Sequence, residues 1–245
     1  MLIELALRNL ARIKVRSVLA IIGIIIGVMA ISSIGIFGES LKAVILENFK
    51  DVVNEVIVTP DYTHGYTSID ARTVKKIENL PFTELVVPVK TESAVVEHKG
   101  KRTYATIYGM DVKKAEELFE LKKGTYKGCL VGSKIAEFFK LRVGSKITVA
   151  EKEFRVTGII KEEARFDINP NYAVILPLKD FDRVFNKEYS MVIVKVEDID
   201  KIDDFKDAVN RVINKKENKV SVFEMRMIIE RIKDVFGKMT LFLMA

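Results

Sequence analysis

The stretch RSVLAIIGIIIGVMAISSIGIF, from Arg16 to Phe37, has no ionisable side chain after its first residue, although 30% of the chain is charged. A helix rises 1.5 Å per residue, so about 20 apolar residues cross roughly 30 Å of hydrocarbon, and Ser17 to Phe37 supplies that length. Its Val, Leu, Ile and Phe residues number about a dozen; at roughly −0.3 to −0.6 kcal/mol each near mid-membrane they favour insertion by about 4 to 7 kcal/mol before Ser and Gly subtract. Two other readings compete. A cleaved signal has a shorter apolar run of about 7 to 15 residues, and Ala30 to Ser32 imitates a cleavage site, but the run continues past it. The central helix of a soluble core would ordinarily carry a polar stripe, which this stretch lacks. The segment 17–38 is therefore expected to be a transmembrane helix.

The residues before it, MLIELALRNLARIKVR, place Glu4, Arg8 and Arg12 on one helical face and Leu2, Ala6, Leu10 and Ile13 on another. That is the pattern of a basic amphipathic helix lying at a membrane surface, so 1–16 reads as an interfacial helix with Arg8, Arg12 and Arg16 as anchors to membrane lipid. Arg8, Arg12, Lys14 and Arg16 precede the span, whereas GESLKAVILENFKD after it mixes both signs. The positive-inside bias then puts the N-terminus in the cytoplasm and residues beyond about Gly38 outside the cell membrane. Gly23 and Gly27 form a small-xxx-small step that would let another helix approach closely, although glycine is also simply frequent in membrane helices.

The chain of 245 residues is long enough for one large or two modest domains. Its formal charge of +6 is balanced locally, as in VKKIEN and KDFDRVFNKE, which describes solvated faces and argues against nucleic acid as a partner. Cys129 is the only cysteine, so no intramolecular disulfide can form, and a small buried apolar role is expected for it.

In the middle of the chain, NEVIVTP reads as a strand, and TSIDARTVKKIENLP as a helix with Thr67 and Asp70 as a capping box and Val74, Ile77 and Leu80 as its apolar stripe. ELVVPVKTESAVVEHKGKRTYATIYG then reads as a strand and hairpin, with Gly100 at the turn and Pro88 marking an edge or bend. A second strand, helix, strand unit follows far downstream in SMVIVKVED, IDKIDDFKDAVNRVINK and KVSVFEM, where Ile199, Ile202, Phe205, Val209 and Val212 fall at helical spacing. Two such units suggest a split β-α-β layer with helices on one face of a mixed sheet. Between them GSKIAEFFKLRVG is expected to be a short helix opened by Ser133 and closed near Gly144. SKITVAEKEFRVTGII reads as a hairpin with Ile147, Val149, Phe154 and Val156 facing a core, and YAVILP as another strand. The fold expected is α+β, a transmembrane helix followed by a two-lobed extracytoplasmic domain. Its parts are 39–110 and 189–224 as the split β-α-β subdomain, 111–188 as an inserted lobe, and 225–245 as a helix leading into a truncated second span. A terminal helix packing on its own domain is the other reading of that last segment.

A search for chemistry yields little. GCLVGSK has the wrong glycine spacing for a phosphate-binding loop, and its Ser precedes the Lys. His64 and His98, with one cysteine, form no set with metal-ligand spacing, and both read as surface or turn residues. The polar loop ARFDINPNYA, residues 164–173, could contact a ligand or simply connect two strands. No G-x-S-x-G occurs. The expectation is a protein that is not an enzyme and carries no catalytic residue, metal or cofactor.

The order of elements is similar to that of the permease subunits of MacB, LolC and FtsX-like ABC transporters. ALRNLARIKVRSVLAIIGIIIGVMAISSIG resembles their N-terminus, NEVIVTP their first extracytoplasmic strand, and CLVGSKIAEFFKLRVGSKITVAEKEFRVTGII with YAVILPL their middle segment. The resemblance implies a MacB-like periplasmic core domain, in which a porter-like subdomain carries an insertion called sabre. It also implies four membrane helices, a homodimer or paired permease, a cargo or outer partner, and a separate ABC ATPase subunit whose hydrolysis moves the outer domain for export or mechanotransmission. The sequence given stops before the further helices. A membrane-anchored or secreted binding module working without an ATPase is the alternative, and a tethered hydrolase a third.

Overall fold

The computed structural model describes residues 14–49, 52–163, 165 and 168–244. It divides into two units, one containing the first long helix and the last helix from Met227, the other spanning Asp51–Arg226. In the first unit, helix α1 runs unbroken over Lys14–Phe49. Its stretch Val15–Leu41 is the one segment among the described residues long and apolar enough to cross a membrane, and none of its most apolar window is buried within the chain. A helix enclosed by its own globule, the soluble reading, would show the opposite. The last helix, α6, covers Met225–Met244, and the Met239 methyl lies 3.9 Å from where a Cβ on Gly38 would sit.

The second unit opens with β1 (Glu55–Pro60), followed by α2 (Ala71–Glu78) and β2 (Thr83–His98). The chain then runs through β3 (Lys101–Met110), β4 (Leu121–Gly124), β5 (Cys129–Val131), α3 (Ser133–Phe139), β6 (Lys146–Val149) and β7 (Lys152–Ile160). It closes with β8 (Ala173–Pro177), α4 (Leu178–Val184), β9 (Met191–Val196), α5 (Ile202–Val212) and β10 (Val220–Glu224).

Strands β10, β1, β9 and β2 lie in that order, all antiparallel. The two strand, helix, strand units thus interleave, as the split β-α-β reading requires. Val56 and Val58 of β1 and Val192, Val194 and Val196 of β9 turn one face toward Val74 and Ile77 of α2 and Phe205 and Val209 of α5, forming one core. The period of two in the strands meets the helical period in α2 and α5, and burial of these aliphatics contributes roughly 1.5 to 3 kcal/mol for each.

From Lys90 onward β2 changes partners. Over Thr83–Val89 it pairs with β9, and over Lys90–His98 with β3. Pro88 falls where the β3 ladder has not begun, so its missing N–H costs no bond on that side. Beyond it, β2, β3, β8, β5, β7 and β6 pair in turn, and β6 returns to β2 at Val96 and Glu97, closing a ring. Closure removes free strand edges. Ile107, Val131, Val149, Val156, Val174 and Leu176 share one cluster with Phe139 of α3 and Phe181 of α4. Their strand neighbours Tyr108, Leu130, Ile160, Ala173 and Ile175 belong to another. Strands buried on both faces explain why YAVILP reads as a continuous apolar run rather than an alternating one.

Three local expectations change. The cap of α2 is Asp70 alone: its carboxylate accepts from the backbone N–H of Arg72 and Thr73 and from the Thr73 hydroxyl, so Thr73 takes the part assigned to Thr67. Helix α3 closes at Lys140, not near Gly144, because Lys140 adopts φ 56° and its N–H returns to the Ala136 and Glu137 carbonyls. Gly132 precedes it where a Cβ would fall 2.0 Å from the Pro170 carbonyl oxygen, a distance only glycine permits. In the β6–β7 hairpin Ile147, Val149 and Val156 are buried, whereas Phe154 is half-buried at the cluster edge. The turn between them, Ala150 and Glu151, has positive φ at both residues, as type I′ geometry demands.

Two predictions follow from these details. Burial alone would raise the Asp70 pKa, but the bonds from Thr73 and Arg72 outweigh it and hold it below the usual carboxylate value. A depressed folded pKa gives stability that is present above the unfolded pKa and lost as pH falls through the folded one. Asp70→Ala should cost about 1 kcal/mol near neutrality and Asp70→Asn much less, and in thermal melts both should lose the acid-side decline that Asp70 contributes. Burial, helped by Asp180, pushes the Cys129 thiol far above its ordinary pKa. Cys129 should therefore resist an aromatic disulfide reagent in the folded chain and react within seconds once denaturant is added.

Candidate functional site

The two strands that join the unit Asp51–Arg226 to helices α1 and α6 are neighbours. β1 follows α1 in the chain, β10 leads into α6, and Val56 pairs with Glu224 across them. Each carries a buried carboxylate at the end nearest its helix. Glu55 opens β1 with its side chain 5% exposed, and Glu224 ends β10 with 2% exposed. A carboxylate out of water is costly unless paired and hydrogen-bonded, and both are.

Arg165, itself only 8% exposed, donates from Nη2 to Glu55 Oε2 at 2.5 Å and from Nη1 to the Leu118 carbonyl at 3.2 Å. Its guanidinium also lies over the Phe119 ring, 5.7 Å from the centroid. A planar, permanently charged guanidinium presents its N–H groups in a fixed fork, so it can bond a carboxylate and a carbonyl at once while its face rests on an aromatic ring. Arg165 comes from the polar connection between β7 and β8, so that loop does more than connect: it ties the ring of strands to β1. Residues 164, 166 and 167 of it lie outside the described residues.

At the other carboxylate, Lys206 of α5 bonds Glu224 Oε1, and Arg226 donates to Glu224 Oε2 at 3.0 Å and to both Asp203 carboxylate oxygens at 3.4 Å. Arg226 is the second residue of α6. The start of that helix is therefore held to the end of β10 and to α5 by charge-assisted bonds.

The residues singled out from sequence are placed differently. Arg8 and Arg12 lie outside the described residues. Arg16 is exposed on α1. Gly23 and Gly27 sit on the same helix, and a Cβ built on either meets nothing within 4 Å in this chain. His64 is exposed in a tight turn over Tyr62–His64, its Nδ1 2.8 Å from Asp61 Oδ2. The Thr63 hydroxyl, opposed by burial and aided by His64, lowers the Asp61 pKa. His98 Nδ1 contacts the Lys146 carbonyl at 2.7 Å. Among the described residues no group of three or more His, Cys, Asp or Glu is arranged to hold a metal ion.

Removing one partner of a buried ion pair strands the other. Arg165→Ala should lower the unfolding free energy of the full chain by about 3 to 5 kcal/mol, and a double change of Glu55→Leu with Arg165→Met should recover most of it, as measured by denaturant titration. Lys206→Ala should cost about 1 kcal/mol or less, since Lys206 is 36% exposed and Arg226 still holds Glu224.

Comparison with known proteins gives this arrangement a family. The chain is 34% identical over 247 residues to an ABC transporter permease of Methanocaldococcus jannaschii, an alignment covering all of this chain and 66% of that protein. A second permease of the same organism is 22% identical over 263 residues, covering 98% of this chain and 65% of that protein. The chain thus spans just under two thirds of the length of these two relatives. In fold it is similar to the periplasmic region of MacB from Actinobacillus actinomycetemcomitans, with a TM-score of 0.63 at 12% identity, covering 77% of this chain and 97% of that one. It is also similar to the extracellular domain of the noncanonic ABC-type transporter YknZ from Gram-positive bacteria, with a TM-score of 0.57 at 18% identity, covering 70% and all of the respective chains. The sequence profile of the MacB-like periplasmic core domain matches residues 17–212, and this membrane protein, with its apolar N-terminal helix and periplasmic-type domain, belongs to that family.

Proposed function

We propose that the chain is the permease part of an ABC transporter, passing motion driven by a separate cytoplasmic ATPase through α1 and α6 into the unit Asp51–Arg226, for export or mechanotransmission. In this reading the N-terminus is cytoplasmic, the strand-rich unit is extracytoplasmic, the permease works as a homodimer or a pair, and the chain itself catalyses no reaction. Arg8, Arg12 and Arg16 anchor it at the inner surface, and Gly23 and Gly27 offer a helix contact.

One observation carries the reading. The strands that continue into α1 and α6 are adjacent, hydrogen-bonded and end in buried carboxylates that Arg165, Lys206 and Arg226 hold in place. A displacement arriving along either helix therefore enters a hydrogen-bonded pair of strands at one side of the sheet and not a loop. A module that only bound a ligand at the surface would need no such joint.

Two measurements on the full-length protein test this. With Cys129→Ala as background, Tyr62→Cys should react with a membrane-impermeant maleimide on intact cells, and Arg16→Cys only after the membrane is opened; the reverse pattern sinks the orientation. Affinity purification should recover an ATPase subunit, and ATP hydrolysis should change the rate of cross-linking between Gly38→Cys and Met239→Cys. No ATPase and an unchanged rate would favour an anchored binding module instead.

A further inference from the structure

Outside the joint, one groove in the ring of strands combines an apolar floor with uncompensated positive charge. It encloses about 630 Å³ between β4 and the segment following α3, within the range of roughly 300 to 1,000 Å³ typical of small-molecule sites. Its floor is Ala136, Leu141 and Ile159, all buried, with Val143 exposed at one wall. Lys122 and Lys123 come to it from β4, and Lys140 and Arg142 from the other side.

Four cations converge on it. Several cations elsewhere in this unit face a carboxylate, as Lys134 does with Glu162 at 2.8 Å and Lys161 with Glu120 at 2.6 Å. Among the described residues, Lys122, Lys123, Lys140 and Arg142 form no ion pair. The one carboxylate lining the groove, Glu137, is 3.8 Å from Lys134. Lys140 stands at the left-handed end of α3, with φ 56°. A second hollow shares Lys140 and Arg142 but is mixed in charge, since Glu97 and Glu153 line it with Lys99 and Lys146, and Lys146 bonds Glu153 at 2.6 Å.

Four exposed cations around one groove favour an anion that settles among them, and the exposed side of Val143 stays wetted unless something apolar covers it. We propose that the groove binds a single-chain anionic amphiphile, an acyl or aryl body ending in a phosphate, sulfate or carboxylate. Arg142 offers a planar fork that fits such a head bidentately, and the lysines supply point charges beside it. The body lies against Leu141, Val143 and Ile159. The short, pocket-like volume suits one chain better than an extended peptide, which would need a run of subsites. This assignment does not depend on the transport role.

The test uses the full chain in nanodiscs of neutral lipid and a dodecyl phosphate carrying a photoreactive diazirine, with labelled residues mapped by mass spectrometry. Label is expected on residues 136–143 and 159. It should fall about fivefold or more in the double variants Lys140→Gln with Arg142→Gln and Lys122→Gln with Lys123→Gln, and in about 0.5 M salt. A dodecyl glucoside bearing the same diazirine should label these residues at least about fivefold less. Val143→Asp places a carboxylate on the exposed wall while sparing every cation, and should weaken labelling with no change in the thermal melt. Equal labelling by the neutral probe, label confined to α1 and α6, or label indifferent to all three variants would overturn the proposal. So would displacement of the label by anionic vesicles or by an acidic peptide but not by unmodified dodecyl phosphate, which would assign the charges to a bilayer or a protein partner.

Discussion

A single strand of sixteen residues, β2, belongs to both sets of strands in the unit Asp51–Arg226. Its first half completes the antiparallel layer with β9, and its second half pairs with β3 and β6 in the closed ring. A continuous strand cannot bend freely without giving up ladder bonds on one side or the other. The rest of the unit therefore inherits its geometry from β2: the layer carries the strands that join the helices, and the ring carries the basic groove. Lys90, where the change of partner begins, is buried and bonds Asp182 at 2.7 Å, which anchors α4 beside the crossing point.

Burial on both faces gives the ring its rigidity, and buried charge fixes how it is attached to the layer. Aliphatic clusters supply most of the driving force, but they are indifferent to small rotations. Arg165 is not. It reaches Glu55 across 110 residues of sequence and sets the position of its loop against β1 through bonds that tolerate little misalignment. The groups doing this are few, and each is satisfied by partners from a different element.

Much of this could be read from the chain before any coordinates. The apolar run beginning at Ser17, the helical spacing of Ile202, Phe205 and Val209, and the alternation in NEVIVTP carry their structures locally, because period and length are properties of neighbours. The caps are partly legible: the position of Asp70 marks it as a cap, but Thr73 carries no mark, since a hydroxyl three residues into a helix looks no different from any other. The sequence points to Gly144 as the end of helix α3 because glycine is the usual stop, whereas in the structure a lysine, Lys140, takes the left-handed position. The joint was invisible. Glu55 and Glu224 are ordinary glutamates at strand ends, and their partners lie in loops and helices that only the topology brings near. Sharing of β2 between two sheets left no mark either, because nothing in VKTESAVVEH records a change of neighbour. The family resemblance reached the MacB-like periplasmic domain by another route, through the order of elements and not through any contact.

The adjacency of β1 and β10 has a mechanical meaning. Because one strand begins and the other ends at the same edge of the sheet, a shift applied equally to both helices carries the two strands together and leaves the bonds between them unloaded. A shift of one helix alone would have to peel the ladder open, starting at Val56 and Glu224, where a charged knot lies in the way. Under the proposed transport role the joint would thus act as a common-mode filter: concerted strokes would pass into the sheet, and uneven tugs would be resisted at its first rung.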